Sequence, residues 1–166
     1  SSTQKKSRRH AFDLAAQEGV TEPFGLFDPL GLAKGKDAAE FRKLRISEIK
    51  HGRVAMMASV GMVVPHFWKY AGFEKVPCGL GAMSTEMGQL GFAGLVLGAG
   101  FHELYLWKDD ESKDPGDFGD PFDFGISVDI ERNYELNNGR MAMFAVLGQI
   151  VAELVTGKDA VSQLGY

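Results

Sequence analysis

Polar, breaker-rich stretches divide the chain into three long segments. Residues 19–37, 72–82 and 109–128 are rich in Gly, Pro and Asp and read as ordered loops. The first long segment, about 38–70, starts as a charged amphipathic stretch and turns apolar from Val54 to Val64. Pro65 perturbs its far end, because proline lacks the backbone N–H a helix needs. The second, about 84–107, carries MGQLGFAGLVLGAGFHELYLW and is the most hydrophobic. The third, about 131–156, places MAMFAVLGQIVAELV after a polar start and stops at Thr156-Gly157. A short amphipathic tail, 158–166, suits a membrane surface.

Crossing about 30 Å of hydrocarbon takes roughly 20 residues, and only the second segment approaches that without an ionisable residue in its middle. The first and third qualify only if Glu48, His51, Arg53, Glu135 and Arg140 are neutralised within the protein, since an uncompensated charge at membrane depth is costly. Composition favours the membrane reading. The 21 glycines sit largely inside apolar segments, where a soluble helix avoids them and a membrane helix uses them for close approach. The formal charge of −4, with both signs spread along the chain, offers no surface for nucleic acid. Cys78 is the single cysteine, which rules out an intrachain disulfide and reads as an ordinary small loop residue. The N-terminal SSTQKKSRRH lacks an apolar core, so it reads as a remnant beside a removed targeting segment and not as a secretory signal.

An internal repeat supplies the missing neutralisation. EIKHGRVAMMASVG at 48–61 and ELNNGRMAMFAVLG at 135–148 agree at seven of fourteen positions with a constant offset of 87. Two similar helices separated by a different one suggest pseudo-twofold symmetry, with a crossing near Gly52, Ala55, Gly139 and Ala142. Within each copy Glu and Arg lie five residues apart, about 140° around a helix, and so do not pair with each other. Between copies they do: Glu48 with Arg140 and Glu135 with Arg53, as buried ion pairs. A carboxylate so neutralised keeps an oxygen for a hard cation such as magnesium. His51 and Asn138 share one repeat position, three residues after the Glu, and each offers a neutral ligand.

Two other classes compete. Glu48-x-x-His51 matches the helical motif of carboxylate-bridged di-iron bundle enzymes, but the second copy has Asn138 where histidine is needed, and each copy carries an arginine that repels a metal cluster. The blander alternative is a soluble helical bundle whose Glu/Arg pairs are structural. Gln89 and Glu103 lie on roughly one face of the second helix, about 21 Å apart at about 1.5 Å per residue. His66 and His102, near helix ends, read as solvated.

Through Glu48-x-x-His51-Gly52-Arg53-x-Ala55-Met56 and Glu135-x-x-Asn138-Gly139-Arg140-x-Ala142-Met143 the chain resembles the light-harvesting chlorophyll-binding family. The likeness extends to FDPLGL at 27–32, GDPFDFG at 119–125 and VTGK at 155–158. It implies an all-α thylakoid membrane protein: a single domain over 1–166 with three transmembrane helices, the first and third crossed by pseudo-twofold symmetry, and a short amphipathic C-terminal helix. It implies an antenna, not an enzyme, which passes excitation energy to a photosystem, with a photoprotective quencher as the alternative on the same fold. By the same resemblance Glu48, His51, Glu135 and Asn138 are axial ligands to chlorophyll magnesium, Arg53 and Arg140 neutralise the opposite Glu, and the loops of Asp28-Pro29 and Asp120-Pro121 seat carotenoid ends. The family's further third-helix ligand falls at Ala152, leaving Gln149 or water to substitute, and its second-helix ligand aligns with Gly94 better than with Gln89. The wording EIKHGR and the GDPFDFG loop look like the chlorophyll a/c branch, which implies chlorophyll a, chlorophyll c and fucoxanthin, peridinin or related xanthophylls. The implied partners are a photosystem core (I or II), neighbouring antenna subunits and thylakoid lipids.

Overall fold

A computed structural model describes residues 13–109, 111–118 and 129–165 of the chain. The described residues form helices and loops, with no strand beyond one isolated bridge between Thr21 and Gly25. Three α-helices run in order: α1 over Ala38–Phe67, α2 over Glu86–Phe101 and α3 over Asp129–Thr156.

Each helix start and stop has a local cause. Asp37 caps α1 by accepting from the Glu40 amide at 2.8 Å, and Glu40 places a negative charge at the positive end of the helix dipole. Pro65 sits inside the last turn of α1, which closes when the Trp68 N–H donates to the Val64 carbonyl. The helix therefore ends at Phe67, short of the expected 70. Thr85 caps α2 through its hydroxyl, which accepts from the Gly88 amide at 3.2 Å. Beyond Phe101 the backbone widens into a π-turn over His102–Leu106, where Trp107 donates to the His102 carbonyl at 2.9 Å. The α-helical register that put Gln89 and Glu103 on one face thus stops before Glu103. Gly157 ends α3 in the left-handed region, its N–H returning to Glu153. The tail after it is one 3₁₀ turn, Ser162–Leu164, and no longer helix.

α1 and α3 pack together, burying Ile49, Gly52 and Ala55 against Leu136, Gly139 and Ala142. The offset of the repeat carries the first set onto the second residue by residue. It also carries Val54, Met57 and Val60 onto Met141, Phe144 and Leu147, all more than half exposed. Small and aliphatic residues thus face the partner helix, and larger apolar ones face outward. Among the described residues no side chain is fully enclosed, whereas a soluble domain of this length closes around a sizeable core. Large apolar side chains line the outside of α2 as well, with Leu90, Leu95 and Leu97 each more than half exposed. That helix packs on the 3₁₀ turn of Gly79–Ser84 and on its own π-turn extension, not on α1 or α3.

Among the described residues one helix, α3 over Arg132–Thr156, is long and apolar enough to cross a membrane. This differs from the expectation that favoured the second segment. The α-helical part of α2 has 16 residues, about 24 Å of rise, and the π-turn takes over before the span is complete.

Candidate pigment-binding site

The two repeat helices are joined at their polar halves by ion pairs that cross between them. Arg140 Nε donates to Glu48 Oε1 at 2.7 Å, and Arg53 Nε donates to Glu135 Oε1 at 2.6 Å. These are the pairings drawn from the repeat, although the four side chains are half-buried rather than buried.

Sequence reasoning missed how heavily the pairs are reinforced. Arg45, buried one turn before Glu48, donates to Glu48 Oε2 at 2.5 Å and to the Glu18 carbonyl at 2.5 Å. Glu48 therefore bridges two guanidiniums. Arg132, the repeat counterpart of Arg45, binds Asp114 at 2.8 Å and Glu18 at 3.3 Å. The signal was present, since Arg45 and Arg132 both stand three residues before the Glu of their repeat. On the α1 side, the Arg53 guanidinium lies 5.6 Å from the Trp107 ring and 5.5 Å from the Phe118 ring, and Lys50 binds Glu103. Arg42 closes the same loop through Asp109 at 2.6 Å.

The loops before α1 and after α2 are seated on this platform in the same manner. Gly19, at φ +82°, places its α-carbon where a β-carbon would lie 3.1 Å from Leu136 Cδ1. Gly116, at φ +87°, stands over Ile49, where a β-carbon would lie 2.6 Å from Cδ1. Ile49 and Leu136 are repeat equivalents, so both loops cover matching positions with a left-handed glycine.

His51 and Asn138 lie on the outer surface of this helix pair, both exposed. His51 Nδ1 is 2.7 Å from the Ser47 carbonyl, which can only accept, so the ring proton sits on Nδ1 and the lone pair of Nε2 is left to coordinate. Such a backbone partner commonly orients a metal-binding histidine. This donor set fits a magnesium macrocycle, which takes one oxygen or nitrogen ligand beyond its four ring nitrogens: an imidazole and an amide are exposed on the outer surface, and two half-buried carboxylates are paired with arginine. It does not fit a di-iron centre. Among the described residues Glu48, His51 and Glu135 do not gather their donor atoms around one point, and the arginine beside each carboxylate repels a cationic cluster.

The other sequence-selected residues are placed as follows. Gln149 donates weakly to the Ser59 carbonyl at 3.4 Å, and its amide oxygen is enclosed without a partner. Coordination by that oxygen requires the side chain to turn outward. Gln89 donates to the Met83 carbonyl at 3.0 Å, which leaves its amide oxygen for a ligand. Glu103 is engaged by Lys50. Asp28 accepts from the Leu32 and Ala33 amides, each at 2.9 Å, and so shapes its own loop, with Pro29 exposed beside it. Asp120 and Pro121 lie outside the described residues. His66, expected to be solvated, instead pairs with Asp159 at 3.2 Å. Glu153 was not foreseen at all: it is buried near the end of α3 and accepts from the Leu80 amide at 2.7 Å.

The family model described as chlorophyll a-b binding protein matches residues 14–154, covering α1, α2, α3 but for its last two residues, and the ion-pair platform. The chain belongs to this family. Among its relatives, fucoxanthin-chlorophyll a-c binding protein F, chloroplastic, of Phaeodactylum tricornutum is 40% identical over 152 residues, covering 81% of this chain and 77% of that one. Fucoxanthin-chlorophyll a-c binding protein B, chloroplastic, of Macrocystis pyrifera is 36% identical over 163 residues, with coverage of 86% and 74%. Fucoxanthin-chlorophyll a-c binding protein, chloroplastic, of Trieres chinensis is 38% identical over 159 residues, with coverage of 84% and 78%.

Proposed function

We propose that this member of the family is a light-harvesting antenna subunit of the chloroplast thylakoid membrane. It binds chlorophyll a, chlorophyll c and fucoxanthin-type carotenoids and delivers excitation to a photosystem core through neighbouring antenna subunits. The chain forms a single domain that crosses the membrane three times, with α1 and α3 related by a pseudo-twofold axis. One observation carries the reading. The reciprocal ties Glu48–Arg140 and Glu135–Arg53 stand beside outward-facing His51 and Asn138, on helices whose outer faces are apolar and exposed. A soluble bundle would not leave such faces uncovered.

Bound pigment supplies visible absorption and the transfer of excitation; the residues supply spacing. Arg140 and Arg53 cancel the charge of the opposing Glu and hold each carboxylate in one orientation, so that Glu48 and Glu135 would each keep a lone pair with which to hold pigment magnesium. The Ser47 carbonyl fixes the tautomer and the ring plane of His51. Asn138 provides the equivalent amide on α3, and Gln89, Glu103 and Gln149 are the further candidate donors. Asp28 and Pro29 order the loop that seats one carotenoid end, with Asp120 and Pro121 assigned to the other. Thylakoid lipids and pigment together cover the apolar faces of α1, α2 and α3. The chain performs no bond-making chemistry in this role.

The test is an absorption and fluorescence-excitation spectrum of the detergent-solubilised protein, followed by pigment extraction and chromatography. Chlorophyll a and c bands with carotenoid-sensitised chlorophyll emission are expected. A colourless, water-soluble preparation containing iron would overturn the proposal.

A further inference from the structure

We propose that His66, Cys78 and Asp159 form a binding site for a zinc-like divalent cation where α1 and α3 end. The three side chains come from separate stretches: the last turn of α1, the residue preceding the 3₁₀ turn of Gly79–Ser84, and the segment just after α3. Their donor atoms all lie within 4.8 Å of one another, and each residue is half-buried, so an ion can enter without being fully hydrated. This cluster is roughly 22 Å along α1 from His51, well apart from the pigment ligands proposed above.

The donor spacing accommodates a metal ion. His66 Nδ1 and Asp159 Oδ2 are 3.2 Å apart. That matches the edge of about 3.3 Å that joins two ligands of a tetrahedron with bonds of about 2.0–2.1 Å. A thiolate bond of about 2.3 Å then requires Cys78 Sγ to shift by about 1 Å at most. The other carboxylate oxygen of Asp159 accepts from the Ser162 amide at 2.7 Å, which turns Oδ2 toward His66, the support an outer partner gives a metal ligand. The stretch carrying Cys78 is pinned independently, because buried Glu153 accepts from the Leu80 amide at 2.7 Å. One nitrogen, one sulfur and one oxygen donor suit zinc; magnesium and calcium prefer oxygen alone. Three protein ligands leave a fourth position for water. A cation here would tie the post-α3 segment and the 3₁₀ turn to the end of α1. The competing account is a His66–Asp159 ion pair with an uninvolved thiol nearby.

The experiment uses the full pigment-loaded chain, stripped with a chelator and titrated with Zn²⁺ or Co²⁺. We expect Zn²⁺ to slow alkylation of Cys78 at least about tenfold, and Co²⁺ to produce a thiolate-to-metal charge-transfer band that Cys78→Ser abolishes. His66→Gln and Asp159→Asn should each weaken Zn²⁺ binding about tenfold or more, in line with the loss of a ligand or its support. Alkylation reads Cys78 alone, so exchange of metal in the pigments does not imitate the result, and the wild-type measurement holds even where a variant misfolds. Zn²⁺ that leaves the alkylation rate of wild-type Cys78 unchanged, or a His66→Gln/Cys78→Ser variant that binds Zn²⁺ as wild type does, overturns the proposal.

Discussion

Gly52 and Gly139 meet backbone to backbone: a β-carbon on Gly52 would lie 3.0 Å from the α-carbon of Gly139, and one on Gly139 would lie 2.9 Å from the α-carbon of Gly52. The obstacle on each side is main chain, which has no rotamer to retreat into, so any side chain forces the helices apart. Helices held at this distance also fix the lengths at which Arg53 and Arg140 reach across. Gly52→Ala should therefore cost about 1–3 kcal/mol by overpacking, and Gly52→Val more. Thermal melting of the pigment-loaded variants checks this; an alanine variant as stable as wild type would show that the close approach is not required.

The two interhelical ties do not carry equal weight. Glu48 retains Arg45 when Arg140 is removed, whereas Arg53 is the one guanidinium bound to Glu135 among the described contacts. Arg53→Leu should then be the costlier change at the carboxylate, on the order of 1–3 kcal/mol for a half-buried charge that loses its partner. Arg140→Leu should cost less at Glu48, which keeps Arg45. The exchanged pair Arg53→Glu/Glu135→Arg should recover part of the loss, whereas either single reversal, placing like charges together, should not. Melting of the five variants in parallel decides the ranking.

The repeat makes most of this platform legible in the sequence. A constant offset of 87 gives the ion pairs, the glycine contact and, once α1 is seen, the buried and exposed faces of α3. Local rules served where the cause was local, as at Asp37, Thr85 and Gly157. Three features stayed hidden for physical reasons. Gly19 over Leu136 and Gly116 over Ile49 depend on how loops return to the helices, and one glycine among 21 carries no mark of that. The end of α2 depends on a register change at His102, which hydropathy does not register. Glu153 and the His66, Cys78 and Asp159 group arise where distant stretches converge, so each residue alone looked ordinary.

His51→Leu should remove a single chlorophyll per chain and leave the helix pair intact, because among the described residues its polar contacts are with the Ser47 carbonyl and hydroxyl on its own helix and none reaches α3. His51→Gln, which offers an amide oxygen like that of Asn138, should retain the pigment. Pigment stoichiometry by extraction, alongside circular dichroism, separates a lost ligand from a lost fold. Equal chlorophyll content in wild type and His51→Leu would remove His51 from the ligand set.

Glu153 tests whether a buried carboxylate is needed as a charge or only as an acceptor. Its Oε1 accepts from the Leu80 and Gly81 amides, while Oε2 is enclosed without a partner. An unsatisfied buried polar atom is a cost, and Glu153→Gln keeps the useful oxygen. We expect Glu153→Gln to be neutral within about 0.5 kcal/mol. Glu153→Ala should be destabilising by about 1–3 kcal/mol, because two amides lose their acceptor. A large loss in the glutamine variant would show that the charge itself is required.

Asp159 gives the segment after α3 a defined dependence on acid. Its carboxyl is lowered from 3.8 to about 2, chiefly because Ser162 donates to it from side chain and backbone, with His66 adding to the effect. A carboxyl with a depressed folded value contributes stability that is complete above its unfolded value and fades as pH falls through the folded one. The contribution should therefore be full at neutral pH and diminish between about pH 4 and about pH 2. With a chelator present to keep cations away, the difference in melting temperature between wild type and Asp159→Asn should be largest near neutrality and close toward about pH 2. A difference that stays constant across that range would mean that Asp159 supports the fold through its shape and hydrogen bonds, with its charge playing no part.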